Sequence, residues 1–187
     1  MKEIIQKSLT ESITLRKFFL KEYDKICEAA KLIINSYRKK GKVILFGNGG
    51  SAADAQHIAA EFVGRFKKER KALNAIALTT DTSILTAIGN DYEFGKIFSR
   101  QVEAICNRND VVIGISTSGK SINVINGIKK AKELNAKTIA LTGCDGGELK
   151  KIVDVCICIP SFSTPRIQEM HITIGHIICE IVEDKLF

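Results

Sequence analysis

The sequence predicts an α/β protein, a three-layer α/β/α sandwich on a five-stranded parallel sheet with long N-terminal and C-terminal helices. Three observations predict it. Five short runs, Val43–Phe46, Ala75–Leu78, Val111–Ile115, Thr138–Leu141 and Val153–Ile159, are apolar and rich in β-branched residues, and each leads into a polar or glycine-rich turn. Helix-patterned segments separate them, and continuous apolar strands joined by such crossovers belong to parallel sheets covered on both faces. Finally, 187 residues suffice for one sizeable core, and neither the two prolines nor any low-complexity stretch marks a linker, so residues 1–187 are read as a single domain.

Ahead of the first strand lies an amphipathic segment, residues 3–39, with Leu9, Ile13, Phe18, Phe19, Ile26, Ala30 and Ile33 as apolar positions. It is longer than one sheet face needs, so this N-terminal helical segment, about residues 1–40, is expected to pack in part on another subunit. The first and third strands run into the turns that attract ligands in open parallel sheets, beyond the carboxyl ends of the strands. After the fifth strand, Arg166–Leu186 reads as a long helix starting just behind Pro165.

Composition, 45% hydrophobic and 26% charged, is that of an ordinary globular protein. No apolar run approaches the roughly 18 residues of a membrane helix, and the opening MKEIIQKSLTES has no secretory apolar region, so a cytoplasmic protein without a membrane partner is expected. The net charge of +7 invites an anionic partner. Its densest run, Lys67-Lys68-Glu69-Arg70-Lys71, is broken by an acid and lacks interleaved aromatics, which suits a solvated turn better than nucleic acid. Six cysteines lack zinc-ribbon or CxxC spacing and read as small core residues in a reducing compartment.

The stretch Gly114-Ile-Ser-Thr-Ser-Gly-Lys-Ser121 matches G-x-x-x-x-G-K-[ST] in a strand-to-helix context. A triphosphate site also needs a carboxylate for magnesium, and Asp110, Asp145 and Asp154 are poorly placed for it. Ser116, Thr117, Ser118 and Ser121 instead offer hydroxyls at a helix N-terminus, which suits a monophosphate, although a serine there can also serve as an ordinary cap. In the first turn Gly47, Gly49 and Gly50 open the backbone to a ligand and Ser51 is expected to cap the next helix. His57 and Glu61, at i and i+4, share one helix face, a spacing that an exposed surface pair fits equally. The other histidines, His171 and His176, lie in the last helix.

Taken together, GNGGSAADAQH at 47–57, Glu61, GND at 89–91, STSGKS at 116–121, LTGCDGG at 141–147 and RIQEMHITIGH at 166–176 resemble the bacterial phosphoheptose isomerases of the SIS (sugar isomerase) superfamily, a flavodoxin-like fold. The resemblance implies isomerisation of sedoheptulose 7-phosphate to D-glycero-D-manno-heptose 7-phosphate, at the start of nucleotide-heptose synthesis for lipopolysaccharide or capsule. It implies a homotetramer with intersubunit active sites and one zinc per subunit, with metal ligands at His57, Glu61, Gln168 and His176. Substrate contacts fall on Asn48, Gly49, Gly50, Ser51, Asn90, Asp91, Ser116, Thr117, Ser118, Ser121 and Gln168. Lys120, where the family has Asn, completes the Walker-like string by accident, and Pro165 stands where an Asp is common. Competing readings are an SIS isomerase for another sugar phosphate, a noncatalytic SIS tetramer that binds a replication-initiation protein, and a P-loop ATPase.

Aldose–ketose isomerisation moves a proton between neighbouring carbons, for which Glu61 is the candidate base and His176 the second acid/base group. Gln168 and His176 lie about 12 Å and about 80° apart on a straight helix, which favours a site shared between subunits. Arg65, one turn after Glu61, could orient it, and Glu169 and His171 are spare acid/base groups.

Overall fold

The computed structural model describes residues 1–187. Strands β1 (Val43–Gly47), β2 (Ala75–Ala77), β3 (Val111–Ser116), β4 (Lys137–Gly143) and β5 (Val155–Ile159) form one parallel sheet in the order β2-β1-β3-β4-β5. The order reverses between β1 and β3, which pair from Val43↔Val111 to Gly47↔Ile115, and in doubly wound sheets ligands bind beyond that switch point. The glycine turn follows β1 and the serine turn follows β3, so both open onto the same crevice.

Side chains alternate along each strand, and both faces are apolar because both are covered. Leu45, Ile113 and Leu141 face one core, formed with α2 (Asp24–Arg38), α3 (Gly50–Val63) and α8 (Thr164–Leu186). Ile44, Phe46 and Val112 face the other, against α5 (Ile97–Ile105) and α6 (Ile122–Glu133). Between β2 and α5 lie α4 (Thr82–Asp91), capped by Asp81 Oδ1 accepting from the Ile84 amide at 2.9 Å, and a 3-10 turn at Phe94–Lys96. The sandwich is the one expected, and no helix is long and apolar enough to cross a membrane.

Several boundaries differ from expectation. The N-terminal segment is two helices, α1 (Lys2–Phe19) and α2, interrupted at Leu20–Tyr23. Only α2 packs deeply, burying Ile26, Ala29, Ala30, Ile33 and Ile34, whereas α1 buries Leu15 alone. β5 begins at Val155 because Asp154 folds back to accept from the Thr138 amide and hydroxyl, at 2.8 and 2.7 Å. Between β4 and β5 a four-residue helix, α7 (Leu149–Ile152), replaces a longer crossover. α8 starts at Thr164, with Pro165 inside its first turn, where its missing N–H costs nothing.

The basic run is also more than a solvated turn. Arg70 is buried with Glu183, its Nε 2.8 Å from the carboxylate, and its guanidinium also donates to the carbonyls of Glu61 and Phe62. Glu183 further accepts from the amides of Phe66, Lys67 and Lys68 at 2.8–3.0 Å. Burial opposes its charge, but these amides and Arg70 outweigh burial and hold its pKa at about 2. The arrangement ties the carboxyl end of α3, where Glu61 sits, to α8.

Candidate active site and metal centre

The site is built on the contact between α3 and α8, which run side by side in the same direction. Gln168 lies against Gly50, Gly175 against Ile58, His176 against His57, and Glu183 against the amides that follow α3. Two glycines permit the approach. A Cβ on Gly50 would come within 2.5 Å of the Gln168 amide, and one on Gly175 within 2.6 Å of Ile58. Gly50, Asp54, His57 and Glu61 follow the i, i+4, i+7, i+11 spacing of a single helix stripe.

At the lower end of that stripe three side chains converge. His57 Nε2 is 3.2 Å from Glu61 Oε1 and 3.4 Å from His176 Nε2, and all three ligand atoms lie within 4.8 Å of one another. The imidazole rings meet edge to face at 4.9 Å. Two imidazoles and a carboxylate form a donor set typical of catalytic zinc, and donors bonded tetrahedrally at zinc distances stand about 3.3 Å apart. The spacing of these atoms therefore fits a divalent metal, with a position left for water or substrate.

Gln168 is not in this group. It stands beside Gly50, eight residues before His176 and about 12 Å from it along the helix axis. Arg65 pairs with Glu69 at 3.7 Å rather than with Glu61. His171 is fully buried, its Nε2 3.0 Å from the Thr142 carbonyl, and burial lowers its pKa to about 4 in spite of that bond, so it is a neutral core residue. Glu169 is held in an ion pair by Arg166, which also donates to the Ser8 carbonyl of α1. Both spare acid/base groups are thus occupied structurally.

Two loops line the upper end. In the first, Gly49 (φ 56°) turns the chain into α3 and occupies the N-cap position, so Ser51 is not the cap; it is buried in the first turn. In the second, Ser121 stands at the N-cap of α6 without capping it. Its hydroxyl lies 2.9 Å from that of Ser116 instead, while Asn123 serves the Val124 amide with its own side chain. The ordinary capping reading of Ser121 therefore fails, and exposed Ser118 accepts only from the Lys120 amide at 3.2 Å. The N–H groups of the first turn of α6 lack intrahelical partners, which suits an anion.

Asn123 is a residue that pattern reading missed. Its buried amide exchanges two hydrogen bonds with Asn48, at 2.8 and 2.9 Å, and so clamps the two loops together. Asp54, passed over within a quoted motif, has one buried carboxylate oxygen without a partner, and burial raises its pKa to about 6 against the opposing pull of His57. Asn90 and Asp91 end α4, exposed and bonded to each other. No side-chain hydrogen bond joins them to the other site residues of the same chain.

The acids needed for a nucleotide triphosphate are elsewhere. Asp110 is paired with Lys42 before β3, Asp154 binds Thr138 before β5, and Asp145 accepts from Gly147 within its own turn. The largest cavity, about 670 Å³, lies around Lys42, Asn74 and Asp110 at the amino ends of the strands, away from both loops.

A family model described as SIS domain matches residues 10–143. The phosphoheptose isomerase of Aquifex aeolicus is 57% identical over 187 residues, covering 100% of this chain and 98% of that protein. That of Clostridium acetobutylicum is 52% identical over 190 residues, covering 100% and 97%. The structure of the Neisseria gonorrhoeae phosphoheptose isomerase superposes with a TM-score of 0.93 at 44% identity, covering 98% of each chain. With full-length identity above one half and a shared fold, this chain belongs to the phosphoheptose isomerases, a family of SIS-domain enzymes.

Proposed function

We propose that the protein converts sedoheptulose 7-phosphate to D-glycero-D-manno-heptose 7-phosphate, supplying nucleotide-heptose synthesis for lipopolysaccharide or capsule, and that it works as a zinc-containing homotetramer in the cytoplasm. One observation carries this reading: the shared direction of α3 and α8. From Gly50 to His57 is about 10 Å along the helix, comparable to an extended seven-carbon chain. A phosphate held at the loops therefore leaves the carbonyl end of the same molecule beside Glu61 and His176.

Ser116, Thr117, Ser118 and Ser121 donate to the phosphate together with the N–H groups at the start of α6. Asn48, Gly49, Gly50 and Ser51 form the opposite wall, and the Gln168 of a neighbouring copy reaches the sugar beside the metal. His57, Glu61 and His176 would hold the zinc, which as a Lewis acid supplies stabilisation of negative charge on the carbonyl oxygen. Glu61 presents Oε1 to His57, and its second oxygen takes the C1 proton and returns it to C2. His176 moves the proton between the neighbouring oxygens.

In this reading Gln168, too far from His176 in its own chain, completes the metal shell from a neighbouring copy. Asn90 and Asp91 likewise reach a neighbour's sugar. Exposed apolar residues on α1, Ile5, Leu9 and Ile13 among them, support the assembly this requires. Incubating the protein with sedoheptulose 7-phosphate, with and without a chelator, and following the products by NMR tests the reading. The aldose should appear only where the metal is retained; an aldose formed from a pentose or hexose phosphate much faster than from the heptose overturns the substrate assignment.

A further inference from the structure

Below His57, Glu61 and His176 lies a buried ion pair, Arg70 from the loop after α3 and Glu183 on α8, with side chains 1% and 3% exposed. Both carboxylate oxygens are doubly occupied: Oε1 accepts from Arg70 Nε and the Phe66 amide, Oε2 from the amides of Lys67 and Lys68. As a salt bridge alone such a pair contributes little, because removing two charges from water offsets most of their attraction. Its distinctive feature is what it holds in place.

Arg70 reaches Glu61 through the backbone. The last carbonyls of a helix lack intrahelical partners, and α3 ends at Val63 with the Gly64 amide closing onto Ala60. Arg70 Nη2 donates to the Glu61 carbonyl at 2.8 Å, and Nη1 to the carbonyls of Phe62 and Lys71 at 2.9 and 3.0 Å. The turn that carries the Glu61 carboxylate is thus closed by a cation at a helix carboxyl end, where positive charge is favoured. Glu183 reaches His176 by another route. It follows His176 by two turns on the same face of α8, and its bond to the Phe66 amide, at 3.0 Å, fixes the segment that lays the Phe66 ring against the His176 imidazole. Those two rings are 5.7 Å apart with their planes at 37°, so His176 stands between Phe66 and His57.

We propose that Arg70 is a positioning residue for the metal centre. Through the Glu61 carbonyl, and through Glu183 and Phe66 to the His176 ring, it fixes the separation of the Glu61 and His176 ligand atoms, and so sets metal affinity and turnover without holding the sugar phosphate. This rests on His57, Glu61 and His176 binding a divalent metal. Lysine cannot take the place of Arg70: an ammonium on a flexible stem keeps the charge opposite Glu183, but lacks the planar fork that meets a carboxylate and several carbonyls at once.

The test compares the full-length parent protein with Arg70→Lys and Phe66→Leu. Zinc is titrated into each metal-free protein against a chromophoric chelator, kinetics with sedoheptulose 7-phosphate at saturating zinc separate kcat from KM, and hydrogen–deuterium exchange read by mass spectrometry follows the end of α3. In Arg70→Lys zinc affinity should fall roughly 10–100-fold, and kcat should fall with KM within about twofold of the parent. Exchange should quicken in peptides covering the end of α3 and Phe66, and stay at the parent rate in the glycine and serine turns. Phe66→Leu leaves the ion pair and the α3 carbonyls bonded, so it should weaken zinc roughly tenfold with α3 exchanging as in the parent. Zinc bound as tightly by Arg70→Lys as by the parent, or a KM raised as far as kcat falls, would overturn the positioning role. Should Arg70→Lys fail to fold, unchanged zinc affinity in Phe66→Leu overturns it. A parent protein that binds no zinc counts against the metal centre, whereas an α3 end that exchanges at the parent rate in Arg70→Lys counts against Arg70 whether or not zinc binds.

Discussion

Asn123 carries more of the site than any single hydroxyl, because its amide exchange with Asn48 fixes the distance between the two loops. Asn123→Leu should leave Asn48 unpaired and cost about 1–3 kcal/mol of stability, read from urea unfolding, together with weaker substrate binding. Ser121→Ala removes one charged hydrogen bond and should raise the dissociation constant for the sugar phosphate roughly tenfold, whereas Lys120→Asn, at an exposed position, should leave it nearly unchanged. Loss of binding in the lysine variant instead would favour a P-loop role. Glu61→Gln should lower kcat by about 10²–10⁴ with a modest change in KM, as measured in a steady-state assay. Hydroxyls at a helix start made the serine loop legible in the sequence, whereas the spacing of His57 and Glu61 fitted a surface pair equally and only the family resemblance singled them out. Residue types and spacing could not separate His171 from His176: five residues apart, the two point to different sides of α8, and only the packing of α3 against that helix decides which one meets Glu61. Asn123 was illegible for the same reason, its partner being 75 residues away.

At the level of elements, the α3–α8 pair is held in register by the Arg70–Glu183 centre below the site. The Glu183 pKa is depressed, from 4.5 to about 2, so its contribution is complete above pH 4.5 and is lost as the pH falls toward 2. Thermal unfolding should accordingly show a midpoint that falls as the pH drops from 4.5 to about 2, and Glu183→Gln should flatten that dependence while costing about 3–5 kcal/mol near neutrality. A variant with an unaltered acid limb would contradict the assignment. The strands were legible to within one or two residues because a sheet covered on both faces demands unbroken apolar runs. The break at Leu20–Tyr23 was not, since neither Pro nor Gly marks it; it separates a helix that packs on the sheet from one that barely touches it.

For the whole molecule, α1 is the element that a single chain does not explain. Ile5, Leu9 and Ile13, at 59%, 59% and 52% exposure, repeat every fourth residue along it, a stripe suited to another copy. Replacing Leu9 and Ile13 with Glu should reduce the mass measured by light scattering and lower activity with it, while leaving the far-ultraviolet circular dichroism of each chain close to that of the parent. The five-stranded sandwich and its class were readable from one chain's periodicity, but periodicity does not encode a partner for the exposed stripe of α1 or for Asn90 and Asp91.

The most direct measurement is NMR of sedoheptulose 7-phosphate incubated in deuterium oxide with the zinc-loaded protein and with its Glu61→Gln variant. The account predicts that the parent protein forms the aldose and brings solvent deuterium onto the carbons adjacent to the carbonyl, while the variant does neither at a comparable rate. A parent protein that leaves the ketose untouched, or a variant that exchanges as fast as the parent, would contradict it.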